Sequence, residues 1–203
     1  MSFLKNKKVG DVQFKKLDIG AAIVRLLNAE ETNSFQQYNG TPKEADKPWR
    51  DATPQVAITI VSAEPGKTGG MTHRFNLLGY IRYDELSDEQ KLEKNKAKEL
   101  VYENLDGYAC TVSEDGEMVR IVDDAKSAIC DNILNQFAHA IGMSKDEEFI
   151  DEDGKLFANA IAEQTKFIVT VVNKPYHGKD LLRLGSSFKA YKEVAAVNAG
   201  FDE

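Results

Sequence analysis

Two hydrophobic periods alternate along this chain. Three segments, 20–30, 55–63 and 166–174, are rich in β-branched residues and alternate apolar with polar positions, which predicts strands. The turn Glu64-Pro65-Gly66-Lys67-Thr68-Gly69-Gly70 leads the second of these into a return strand over 71–81. The turn Pro175-Tyr176-His177-Gly178-Lys179 leads the third into another over 180–190. Between the two hairpins the period lengthens. Residues 86–102 read as a solvated helix opened by a capping box, Ser87 with Gln90 three residues on. Residues 108–122 read as two short strands about Ser113-Glu114-Asp115-Gly116. A helix over about 125–141 follows, capped by Asp123 or Asp124, with Ile129, Ile133, Leu134, Phe137, Ala138 and Ile141 at spacings of three and four. Gly142 ends it, and a further helix covers about 156–163. Residues 31–55 form a long polar loop with three prolines, yet carry Phe35, Tyr38, Trp49 and Arg50.

Three strands, a mixed and mainly helical middle, then two strands is the order of a five-stranded OB-fold barrel. The expected fold class is therefore mainly β with an α insertion (α+β). Residues 1–203 make one OB-fold-like domain, and 84–160 are an enlarged, acidic, mainly helical insertion between its third and fourth strands. No repeat shows at periods of 20–50 residues, which sets solenoids and propellers aside.

Charge sharpens this division. The formal net charge is −7, but residues 84–160 hold 20 acids against 8 bases while the rest holds 13 acids against 18 bases. An acidic middle between basic flanks predicts that the barrel pieces face a polyanion and that the insertion keeps its acidic side away from it. The hydrophobic fraction of 42 % is enough for a core. No apolar run reaches the roughly 18 residues of a membrane span, and Met1-Ser2-Phe3-Leu4-Lys5 lacks a signal-peptide core, so a cytoplasmic protein with no membrane partner is expected. Cys110 and Cys130 read as reduced thiols.

Catalytic patterns fail one by one. Gly66-Lys67-Thr68 resembles the end of a phosphate-binding loop, but Val61 stands where that motif needs glycine. Asp151-Glu152-Asp153-Gly154 resembles a calcium loop, but Phe149 stands where its first aspartate belongs. His73, His139 and His177 lie far apart, no Cys or His pair has zinc spacing, and no Gly-x-Ser-x-Gly elbow occurs. The expectation is a non-enzyme without metal or cofactor.

What remains is binding chemistry. Holding single strands without sequence preference needs a basic groove for phosphates and aromatic rings for bases. The flanks interleave the two, and the candidate nucleic-acid-binding residues are Arg25, Trp49, Arg50, Arg74, Tyr80, Arg82, Tyr176, Lys179, Arg183 and Lys189. Residues 166–192 alone carry six bases against one acid. Phe75 and Phe188 lie on strands and read as core rather than as stacking platforms. Tyr176 and Lys179 sit in the turn between the fourth and fifth barrel strands, one usual wall of an OB-fold cleft.

The terminal hairpin, from Phe167-Ile168-Val169-Thr170-Val171-Val172 through Tyr176-His177-Gly178-Lys179 to Phe188, together with Phe137-Ala138-His139-Ala140-Ile141-Gly142 before it, resembles a family of phage and prophage proteins of unknown function that are regarded as single-stranded DNA-binding proteins. The strands around Arg25 and 56–60 fit the same plan. The resemblance implies a protein that coats single-stranded DNA in phage replication or recombination, in the host cytoplasm. It also implies replication or recombination proteins as partners, and leaves room for a homo-oligomer. The chain departs from the family in the loop 31–55, in the hairpin at 108–122, and at a C-terminus where only Phe201-Asp202-Glu203 stands for a long acidic tail. The rival expectation is a phage structural or virion-associated interaction protein with no nucleic-acid role.

Overall fold

The computed structural model describes residues 15–33, 53–90, 101–103, 107–112, 114, 118–175 and 181–192. The fold is mainly β. Its elements are β1 (Gly20–Asn33), β2 (Pro54–Ser62), β3 (Gly70–Asn76), β4 (Tyr102–Glu103), β5 (Ala109–Val112), β6 (Met118–Arg120), α1 (Asp124–Ala140), α2 (Ala158–Ala162), β7 (Lys166–Asn173) and β8 (Leu182–Ala190). Five strands form one antiparallel sheet in the order β3-β2-β1-β7-β8, and β4-β5-β6 form a second, small sheet. No described helix is long and apolar enough to cross a membrane.

Alternation sorts the large sheet into two faces. Ala22, Val24 and Leu26 of β1, Val56, Ile58 and Ile60 of β2, Phe75 of β3, Phe167, Val169 and Val171 of β7, and Leu184 and Phe188 of β8 are buried together. A β-bulge between Leu26 and Asn28 reverses the alternation of β1 halfway along. Leu26 pairs with Ile60 on the core face, whereas Asn28 pairs with Thr59 on the other.

The sheet is not closed into a barrel, contrary to the expected architecture. Its edge strands β3 and β8 meet through side chains: the rings of Phe75 and Phe188 lie 5.6 Å apart. Phe137 of α1, fully buried, packs on both, at 5.1 Å and 5.5 Å. Aromatic volume fills the place where backbone hydrogen bonds would close the cylinder.

The acidic middle is divided rather than set apart as one body. Leu134, Phe137, Ala138 and Ala140 of α1 belong to the main core. The helix starts where Asp123 accepts a hydrogen bond from the Lys126 backbone N–H, and ends before Gly142, whose φ of +94° suits the left-handed C′ position. The small sheet instead packs around residues 80–83, through Ile81 N–H to Ile121 O, Ala109 N–H to Ile81 O and Tyr83 N–H to Gly107 O. Gly79 joins the two parts: a Cβ there would stand 2.7 Å from the Lys126 carbonyl carbon, so only glycine lets this strand exit pass the first turn of α1. The Ser87 capping box is present, with Gln90 N–H to Ser87 Oγ at 3.2 Å and Ser87 N–H to Gln90 Oε1 at 2.9 Å.

Candidate functional site

On the side of the large sheet away from the core, paired positions form rows of side chains. Arg25 of β1 pairs with Lys166 of β7, Lys189 of β8 with Ile168, Arg183 of β8 with Val172, and Arg74 of β3 with Ala57. Four of the sequence-predicted site residues, Arg25, Arg74, Arg183 and Lys189, thus share one face, joined by Lys166. Among the described residues this face also holds a carboxylate, Glu30, opposite Ala57 in the row of Arg74. Apolar Ile23, Val61 and Ile168 lie between the bases and are half-buried.

Beside this face is the seam where β3 and β8 do not pair. It opens into a cleft of about 510 Å³, with Gln55, Thr72, His73, Arg74, Asn76 and Arg183 as its polar lining. Gln55 Nε2 donates to Asn76 Oδ1 at 2.7 Å, which fixes the floor at one end. No carboxylate is among the described lining residues. The described chain resumes at Thr53 and at Leu181, beside Gln55 and Leu182 of the cleft, after residues 34–52 and 176–180.

His73 sits on the core side of the seam, edge-on to Phe75 at 4.7 Å between centroids. Burial, and then the positive charges of Arg183 and Arg74, lower its pKa from 6.5 to about 4. The folded imidazole is therefore neutral down to about pH 4, while the unfolded one gains a proton below about 6.5. Stability from this group is fully present above pH 6.5 and is lost as pH falls toward 4, by about 3 kcal/mol in all. Urea unfolding at pH 7 and pH 4.5 should show His73→Gln losing clearly less stability than the unmodified protein. Parallel losses in the two would refute this account.

The remaining predicted residues fall elsewhere. Tyr80 is buried, and its ring face is taken by the Arg120 guanidinium, 3.9 Å from the centroid. Arg82 lies over the Tyr108 ring at 5.0 Å and reaches Asp84 at 3.9 Å. These two belong to an arginine–tyrosine stack on the small sheet, so Tyr80 offers no open ring to a base. Trp49, Arg50, Tyr176 and Lys179 lie outside the described residues. Phe75 and Phe188 are core.

The cleft also contains residues that the sequence pattern did not single out: His73, Gln55, Thr72 and Asn76. The signal for Thr72 and Asn76 was the polar alternation Thr72-x-Arg74-x-Asn76, which marks one face of β3; His73, on the core side, and Gln55, on β2, are outside it. Nothing local indicated that this face would meet Arg183.

A larger cavity of about 740 Å³ lies between residues 28–31 of β1 and the segment 150–162. Among its described lining residues, Glu30, Glu31 and Asp151 stand against one base, Lys155, the wrong sign for a polyanion. Asp151 is thus in a different cavity from Arg183. No family model matches this sequence, and no curated protein matches it.

Proposed function

We propose that the protein is a single-stranded DNA-binding protein that holds the strand along the β3–β8 seam and the adjoining basic face, without sequence preference and without chemistry of its own. The observation that carries this reading is the seam itself. Two arginines from strands more than a hundred residues apart in sequence line one cleft with no carboxylate among its described residues. Such a cleft suits phosphate groups and not a cationic ligand.

The strand order supports it. Taking β7 and β8 as the fourth and fifth strands, the order 3-2-1-4-5 is that of an OB barrel opened between its third and fifth strands. The connections 34–52 and 176–180 then correspond to the two loops that flank the nucleic-acid face of that fold. Trp49, Arg50, Tyr176 and Lys179 lie in those connections and would add stacking and charge. The setting in phage replication or recombination, the host cytoplasm, and replication or recombination proteins as partners rest on the resemblance of the terminal hairpin to the phage family.

Fluorescence anisotropy with a labelled oligo-dT and with a duplex of equal length tests the reading. The single strand should bind more tightly, and log K should fall with log salt by about 0.7 for each phosphate neutralised. Equal affinity for duplex, or no binding at low salt, would remove it. The second outcome would favour the alternative of a virion-associated interaction protein, for which the acidic cavity beside Asp151 offers a surface.

A further inference from the structure

Among the described residues, Arg74 Nε is the buried side-chain polar atom without a hydrogen-bond partner. A guanidinium is a planar fork whose donors match the oxygens of a phosphate or carboxylate, so an idle buried donor at the wall of a cleft marks the place of an acceptor. Arg183 lines the same cleft from β8, and His73 lines it from the core side of β3. Among the described residues, the titratable and charged groups around His73 are Arg74 on its own strand, Arg183 from β8 and, on the α1 side, the thiol of Cys130 in the small cavity that His73 also lines. Neither cavity has a carboxylate among its described lining residues. Without an anion the two guanidinium charges oppose a charged imidazole. An anion paired with them removes that opposition and adds attraction of its own.

We infer that the seam is a phosphate seat that loads a phosphate group and a proton together: Arg74 and Arg183 take the phosphate oxygens, and His73 becomes protonated and serves as the third cation. The polymer identity of the ligand rests on the nucleic-acid reading above; the seat itself requires only a phosphate anion. The reaction is a binding equilibrium, with the proton drawn from solvent onto the imidazole.

Linkage fixes the consequence. A ligand that raises the proton affinity of His73 must itself bind more tightly as protons become available. The free imidazole titrates at about 4. If the bound one returns to its ordinary value near 6.5, affinity should rise about tenfold between pH 7.5 and pH 5.5.

The test uses labelled oligo-dT, by anisotropy at pH 5.5, 6.5 and 7.5 and fixed ionic strength, on the full chain and on His73→Gln, with near-UV circular dichroism as the check on folding. Titration calorimetry with inorganic tripolyphosphate, in two buffers of different ionisation enthalpy, on the unmodified protein and on His73→Gln, counts the proton taken up by His73 as the difference between the two. Support is a tenfold tightening at pH 5.5 that is absent in His73→Gln, with uptake of a substantial fraction of one proton per tripolyphosphate bound. Oligo-dT affinity that does not change with pH, or the same tightening in folded His73→Gln, overturns the seat and leaves single-strand binding standing. Tripolyphosphate bound with proton uptake, but no oligo-dT bound, upholds the seat and removes the polymer reading.

Discussion

Phe137→Ala should lower the stability of the protein by about 3–5 kcal/mol. Phe137 is fully buried, and its ring lies 5.1 Å from Phe75, 5.3 Å from Phe157, 5.6 Å from Phe167 and 5.5 Å from Phe188. It touches both edge strands of an open sheet, so it supplies the cohesion that hydrogen bonds would give a closed one. Truncation removes the transfer free energy of a large ring and leaves a void that four aromatic neighbours, each held by its own strand or turn, fill only in part. Urea unfolding followed by far-UV circular dichroism measures the loss. A cost below about 1 kcal/mol would mean that the edges are held by something other than this ring. Phe137→Leu keeps most of the apolar volume and should fall between the two.

Arg74→Gln combined with Arg183→Gln should weaken oligo-dT binding at least a hundredfold at moderate salt, with the fold intact. Both side chains line the seam from opposite strands, and neither forms an ion pair with a described carboxylate. Replacing them therefore removes charge offered to a ligand rather than charge used to hold the fold. The salt dependence should also become shallower, by about 0.7 for every phosphate that the variant no longer neutralises on a single strand. The salt slope separates this mechanism from a general shift of the net charge, −7, to a more negative value. Replacing Lys155, which lies in the acidic cavity, changes net charge by one and should leave the slope unchanged. Unchanged affinity in the double variant would remove the seam from the binding site.

The stack of Tyr80, Tyr108, Arg82 and Arg120 shows why aromatic and basic residues in sequence are an ambiguous sign of nucleic-acid binding. The same pairing that would hold a base also holds a small sheet together, because a guanidinium over a ring is favourable whether the ring belongs to a ligand or to the protein. Tyr80 and Arg82 could not be told from Arg74 by composition. They part company because residues 80–83 bond to Gly107, Ala109 and Ile121 rather than continuing the hairpin of β3.

The sequence by itself determined the elements: the period-two runs of β1, β2 and β7, the return strands, the capped start of α1 at Asp123, its end at Gly142, and the capping box at Ser87. These follow from interactions within a few residues, whose signals are the alternation of side chains and the chemistry of caps and turns. It also determined that Phe75 and Phe188 are core, because each falls on the apolar side of an alternating strand. The tertiary structure alone decided the bulge after Leu26, the open seam, and the meeting of His73 and Arg74 with Arg183 across more than a hundred residues. Those depend on strand register and on how one large ring, Phe137, fills the space between two edges. Register and filling arise from packing between distant parts of the chain, and no local pattern of residues encodes which distant surface a side chain will meet.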